Sequence, residues 1–117
     1  MLELQVKEMQ SKKESKKNYY VVNLIQTFKS GKTYKYNKEL IFITKKEYDE
    51  FLNNKDLFTL EVKELTSKKT NKTYYIANIT RKFEKSGKIH RYNKEMIFIK
   101  EYDYTEYKNA KDLEKLL

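Results

Sequence analysis

Cysteine, proline and tryptophan are absent from the 117-residue chain, and glycine occurs only at Gly31 and Gly87. Without cysteine there is no disulfide, no thiolate zinc site and no cysteine nucleophile, which leaves a reducing compartment open to the protein. Two isolated glycines cannot write a phosphate-cradling P-loop or a dinucleotide-binding fingerprint. Nucleotide chemistry of those kinds is excluded, and no cofactor is expected. The apolar runs, such as Tyr19 to Val22 and Leu40 to Ile43, stop at four residues. A bilayer span needs about 20 and a signal-peptide core about 7–15, so the expectation is a soluble, cytoplasmic protein with no membrane partner.

What is present is basic and repetitive. There are 26 Lys+Arg against 17 Asp+Glu, a net charge of +9, with 11 tyrosines. Leu4-Gln5-Val6-Lys7-Glu8 returns as Leu60-Glu61-Val62-Lys63-Glu64, and Lys29-Ser30-Gly31-Lys32 as Lys85-Ser86-Gly87-Lys88. Tyr36-Asn37-Lys38-Glu39 with Ile41-Phe42-Ile43 returns as Tyr92-Asn93-Lys94-Glu95 with Ile97-Phe98-Ile99. The chain reads as a tandem duplication with units 1–57 and 58–117. The offset is 56 but slips to 55 between residues 14–18 and 29–30. One-residue slips are absorbed in hairpin loops, so the repeat itself predicts where the loops fall.

Within a unit the period is mostly two. Leu2, Leu4 and Val6 alternate with polar residues, as a half-buried strand does. A polar loop follows, then the β-branched and aromatic run Tyr19 to Phe28, which ends at Ser30-Gly31 as a tight hairpin would. On that run Tyr20, Val22, Leu24 and Phe28 form the expected core face, with Tyr75, Ala77, Ile79 and Phe83 as counterparts. Tyr19 and Asn23, like Tyr74 and Asn78, lie on the other face, where each Asn bonds either protein or a ligand. Tyr34 to Ile43 returns from the hairpin, broken near Asn37. Thr44-Lys45-Lys46-Glu47 has capping-box form, and Tyr48, Phe51 and Leu52 make the apolar stripe of a short helix. In the second unit the cap is expected to move to Asp103-Tyr104-Thr105-Glu106. The fold class is therefore α+β: two tandem β-β-β(β)-α repeats, antiparallel sheets with one helix each, related by a pseudo-twofold.

Charge is sorted by these elements. Segment 7–46 carries a net +8 and 58–100 a net +7, whereas 47–57 carries −3 and 101–117 carries −2. Codon bias toward Lys does not separate charge in this way, so the sheets read as built for a polyanion. Single-stranded nucleic acid is the polyanion whose bases also stack on aromatic rings. Tyr34, Lys35 and Tyr36 match His90, Arg91 and Tyr92, with Tyr19 and Tyr74 on the strand opposite. Arg81 and Lys82 close the second long strand. Lys12 and Lys13, with Lys68 and Lys69, sit in loops suited to clamp phosphates. Packing competes with ligand contact at every tyrosine, because aromatic cross-strand pairs stabilise any antiparallel sheet. The acidic helices disfavour duplex DNA.

Catalysis finds less support. His90 is the only imidazole and corresponds to Tyr34. Glu61-Val62-Lys63 has a nuclease-like Glu-x-Lys form, but its counterpart begins with Gln5. No enzyme, catalytic residue or metal site is expected.

The element order, with Ile41-Phe42-Ile43-Thr44-Lys45-Lys46-Glu47-Tyr48 entering a helix, resembles the positive-cofactor-four family of transcriptional coactivators and its bacterial and phage relatives. The resemblance implies a β-β-β-β-α single-stranded DNA binder that dimerises through its helix. Two units in one chain then imply a monomeric pseudo-dimer. The functional expectation is single-stranded DNA, ahead of RNA, bound with little sequence preference. The alternative is a protein-interaction module, such as a small phage- or plasmid-type inhibitor that turns the same basic face toward an acidic protein partner.

Overall fold

A computed structural model describes residues 1–12 and 17–116. Lys13, an expected phosphate contact, lies outside the described residues. The elements run β1 (Leu2–Gln10), β2 (Asn18–Thr27), β3 (Thr33–Lys35), β4 (Phe42–Ile43), α1 (Lys45–Asn53), β5 (Thr59–Thr66), β6 (Thr73–Lys82), β7 (Ile89–Arg91), β8 (Ile97–Ile99) and α2 (Glu101–Leu116). They form an α+β structure with two four-stranded antiparallel sheets. In the first, β2 pairs with β1 on one side and with β3 and β4 in succession on the other; in the second, β6 does the same with β5, β7 and β8. No helix among the described residues is long and apolar enough to cross a membrane.

The hairpins fall where the repeat slips. Ser11 donates to Lys17 O across the first loop, and Ser67 to Lys72 O across the second, one residue shorter. The compensating residue lies in the next hairpin, closed from Phe28 N to Lys32 O in one sheet and from Phe83 N to Lys88 O in the other. Gly31 and Gly87 adopt φ of +88° and +71° there, a region that any side chain would strain.

An asparagine side chain carries the ladder across the break between β3 and β4. Tyr36 N donates to Leu24 O and Val22 N to Ile41 O, while residues 37–40 swing away from β2. The amide of Leu24 would be stranded in the middle of the sheet, and Asn37 Oδ1 accepts it at 2.9 Å. Asn37 Nδ2 then donates to Asn23 Oδ1 and to Glu39 O. Asn93 repeats every contact, taking Ile79 N at 2.9 Å and donating to Asn78 Oδ1 and Glu95 O. Asn23 and Asn78 are therefore bonded within the protein, and each also donates outward, to Gln5 and Glu61.

The inward faces share one apolar cluster that includes Leu2, Tyr20, Val22, Leu24 and Ile43 from the first sheet and Ala77, Ile79, Ile97 and Ile99 from the second, joined by Phe58. Each helix packs on the inward side of its own sheet, with Tyr48 4.9 Å from Tyr20 and Tyr104 5.0 Å from Tyr75 between ring centroids. Phe28 and Phe83 depart from the expected core face: both are exposed at the hairpins, and the buried position before each turn is taken by Gln26 and half-buried Arg81.

Thr44 and Glu47 form both bonds of a capping box on α1. The cap of α2 does not move to Asp103 as the spacing predicts. The helix starts at Glu101, and Asp103 occupies the third helical position, accepting from Lys100 N at 3.0 Å. Lys100 supplies no capping oxygen, so only the acid's half of the box survives. The repeated Lys-Asp-Leu also splits in conformation. Lys55-Asp56-Leu57 forms a turn that carries Leu57 and Phe58 toward the core, whereas Lys111-Asp112-Leu113 stays helical with Leu113 exposed.

Candidate nucleic-acid interface

Strand pairing fixes which side chains share a face, because partnered residues point the same way and neighbours along a strand alternate. In the first sheet Lys7 pairs with Val21 and Val21 with Phe42, so a cation, an aliphatic and an aromatic side chain form one row across the outer face. One step along, Met9 pairs with Tyr19, whose ring meets Phe42 edge-on at 6.0 Å. The second sheet repeats the row as Lys63, Ile76 and Phe98, with Leu65 beside Tyr74, and the Tyr74 and Phe98 rings are also 6.0 Å apart. Phe42 and Phe98 are each 60 % exposed, so both rings are available to a ligand. Lys35 pairs with Ile25 and Arg91 with Thr80, which puts both cations on the same outer faces, about 20 Å of strand away from Tyr19 and Tyr74. The loops holding Lys12 and, in the other half, Lys68 and Lys69 leave the sheets at the tyrosine ends, and all three side chains are exposed.

Phe42 and Phe98, at the edges of the two sheets, line a common cleft of about 1220 Å³ between segments 34–42 and 92–100. Leu40, Phe42, Met96 and Phe98 present apolar surface there, flanked by Lys38, Lys94 and Lys100. Leu40 and Met96 are exposed because the asparagine-held bulges turn residues 37–40 and 93–96 outward.

Comparison with protein-family models, with curated proteins and with solved structures finds no match. The site therefore rests on its own geometry.

Tyr36 and Tyr92 also line this cleft, but their hydroxyls are committed to carboxylates on the helices. The Tyr36 hydroxyl donates to Asp103 Oδ2 at 2.6 Å, and Gln26 Nε2 donates to Asp103 Oδ1 at 2.6 Å, so buried Asp103 of α2 closes onto the first sheet. Reciprocally, the Tyr92 hydroxyl donates to Glu47 of α1. Arg81, from the second sheet, reaches Glu50 Oε2 at 2.8 Å and Glu47 Oε2 at 3.7 Å. Burial and then the facing carboxylate raise the hydroxyl pKa of both tyrosines well above the ordinary phenol value. Burial also pushes the Glu47 carboxyl up, but hydrogen bonds from Tyr92 and Thr44 and the charge of Arg81 outweigh it and leave the pKa below the usual glutamate value. These groups tie each helix to the opposite sheet and are not free to stack or to neutralise phosphate.

Of the other expected contacts, Tyr34 pairs with Gln26 and His90 with Arg81, on the inward-facing register, yet both rings are exposed at the sheet edge. Tyr34 meets Tyr36 at 4.9 Å and His90 meets Tyr92 at 4.6 Å, both edge-on. Lys82 is exposed at the end of β6. Glu61, the first residue of the nuclease-like triplet, is occupied by Asn78 and by Lys63 at 3.5 Å. The sequence did not single out Lys7, Lys63, Phe42 and Phe98, which strand pairing places on the outer faces. The available signal was the run Leu40-Ile41-Phe42-Ile43, repeated as Met96-Ile97-Phe98-Ile99, in which both faces of a short edge strand are apolar.

Proposed function

We propose that the chain is a tandem duplication folded about a pseudo-twofold, and that it binds single-stranded nucleic acid, DNA ahead of RNA, as a non-enzymatic protein. The observation that carries this reading is the pair of rows Lys7–Val21–Phe42 and Lys63–Ile76–Phe98, in each of which an exposed cation and an exposed phenylalanine flank a buried aliphatic residue, with a tyrosine beside each phenylalanine and both phenylalanines on one cleft. Bases stack on Phe42, Tyr19, Phe98 and Tyr74, while Lys7, Lys35, Lys63, Arg91 and the loop lysines neutralise phosphates. Both interactions tolerate any sequence, since every base has a flat face and every nucleotide one charge. Duplex DNA hides its bases from such a surface. The likeness of the strand–helix junction to the positive-cofactor-four family favours DNA. Titrating labelled single-stranded DNA, RNA and duplex at several salt concentrations tests the proposal. Single strands bind more tightly than duplex, and a contact with about five phosphates gives a log–log salt slope near −3.5. Equal affinity for duplex, or affinity indifferent to salt, rejects it.

A further inference from the structure

The two sheets differ at their outermost strands. Thr27 N donates to Met1 O at one end of the β1–β2 ladder and Ser11 N to Lys17 O at the other, which fixes the odd-numbered residues of β1 as those bonded to β2. The amides and carbonyls of Leu2, Leu4, Val6 and Glu8 therefore point away from the sheet, and among the described residues nothing bonds them. β5 has the same alternation, set by Ser67 N and Lys72 O, but its edge is guarded. The Tyr107 hydroxyl of α2 donates to the outward carbonyl of Leu60 at 3.0 Å. The residue of α1 that corresponds to Tyr107 is Phe51, which has no hydroxyl to offer Leu4. A nine-residue edge left open in this way is a template for a further strand.

We propose that this edge pairs with β1 of a second copy of the chain, antiparallel about a twofold axis at Gln5, so that the first sheets of two copies join into one. The outward groups then face one another: Leu2 exchanges bonds with Glu8 of the second copy and Leu4 with Val6, about eight bonds in all. On the outer face this register sets Glu3 against Lys7 twice, with Gln5 against Gln5 between them, and no like charges meet. On the inner face Leu4 meets Val6, and both already pack on the apolar cluster. Sliding the strands by two residues loses both ion pairs, and sliding them by four sets Lys7 against Lys7 or Glu3 against Glu3. β5 does not offer the same contact. Its equivalents of Gln5 and Glu3 are Glu61 and Thr59, so carboxylate would face carboxylate and Lys63 would find no acid. Two short strands bury little surface, so the dimer is of the weak class.

Sedimentation of the full chain between about 1 µM and about 500 µM, with amide hydrogen exchange at both ends of that range, tests this. The expected result is a mass that rises from one chain toward two while exchange slows at Leu4, Val6 and Glu8 and stays unchanged at their counterparts Leu60, Val62 and Glu64. Glu8→Pro removes an outward donor and no bond to β2, so it holds the mass at one chain with an unchanged circular dichroism spectrum. Glu3→Lys weakens association by about tenfold, and adding Lys7→Glu restores it. A wild-type chain that stays single at the highest concentration overturns the proposal and leaves the edge to a strand of a different protein. So does a folded Glu8→Pro chain that still dimerises, protection that appears on β5 instead of β1, or a charge swap that fails to restore association. Mass and exchange are read without nucleic acid, so a failure here leaves that reading untouched.

Discussion

Replacing Asn93 by Ala removes an acceptor that no other group supplies. The Ile79 amide is buried mid-sheet with Asn93 Oδ1 as its partner at 2.9 Å, and an unsatisfied buried donor costs about 1–3 kcal/mol. The two donations from Nδ2, to Asn78 Oδ1 at 3.2 Å and Glu95 O at 2.9 Å, add about 0.5–1.5 kcal/mol each. The sum is about 4 kcal/mol, a large share of the 5–15 kcal/mol by which a domain of this size is stable. Urea unfolding followed by circular dichroism and tyrosine fluorescence measures it, provided that the two transitions coincide. With a slope of about 1.5 kcal/mol per molar, the midpoint falls by roughly 2–3 M. Asn37→Ala has the same expected effect through Leu24, whereas Asn53→Ala, on the exposed side of α1, stays within about 0.5 kcal/mol. A loss below about 1 kcal/mol for both Asn37→Ala and Asn93→Ala would refute the idea that a side chain completes each ladder.

Phe42→Ala with Phe98→Ala weakens single-strand binding by about 1–3 kcal/mol per lost stack and leaves the salt slope unchanged, while Lys35→Ala with Arg91→Ala lowers the slope by about 0.7 per contact; fluorescence anisotropy at several salt concentrations separates the two, and identical effects from both pairs refute the division of labour. Residues 1–57 alone leave Gln26 and Tyr36 without Asp103, and Glu47 without Arg81 and Tyr92, so that fragment is unfolded or self-associates, and a stable monomeric half by sedimentation and circular dichroism contradicts the shared core. Glu47 has a lowered folded pKa, so its contribution is complete above the unfolded value of about 4.5 and disappears as pH falls through the folded value; Glu47→Gln therefore flattens the acid limb of stability against pH, and an unchanged limb disproves the linkage. Tyr36 and Tyr92 have raised folded pKa values, so their contribution is present below the unfolded value of about 10.0 and is lost as pH rises through the folded values; in an ultraviolet titration of tyrosinate they ionise last, and Tyr36→Phe and Tyr92→Phe each remove part of that final phase.

Local signals were legible in the sequence and long-range partnerships were not. The slips near residues 14–18 and 29–30 marked the hairpins, since only a loop takes up one extra residue without reversing every side chain of the strand that follows. Thr44 and Glu47 announced α1, because both halves of a capping box lie within four residues. Asp103 misled for the same reason: an acid before a helical stripe looks like a cap, and its actual partners, Gln26 and Tyr36, are 77 and 67 residues away. Tyr36 and Tyr92 stood beside Lys35 and Arg91 in a strand whose alternation already prevented all four from sharing a face. Which pair turned inward was decided by carboxylates on the opposite helix. Neither Phe42 nor Phe98 stood out in the sequence, because each sits between two isoleucines, and only the pairing with Val21 and Ile76 places them outside.

The central claim is that single strands lie on the outer aromatic faces and the cleft between them. Side-chain and amide chemical shifts of the labelled full chain, recorded as a short unlabelled single-stranded oligonucleotide is added, locate contact residue by residue. The account predicts the largest changes at Tyr19, Phe42, Tyr74 and Phe98 and at Lys7, Lys35, Lys63 and Arg91, with buried Asp103 nearly still. Changes centred on α2 or on the Tyr36–Asp103 and Tyr92–Glu47 contacts, with the outer faces silent, would contradict it.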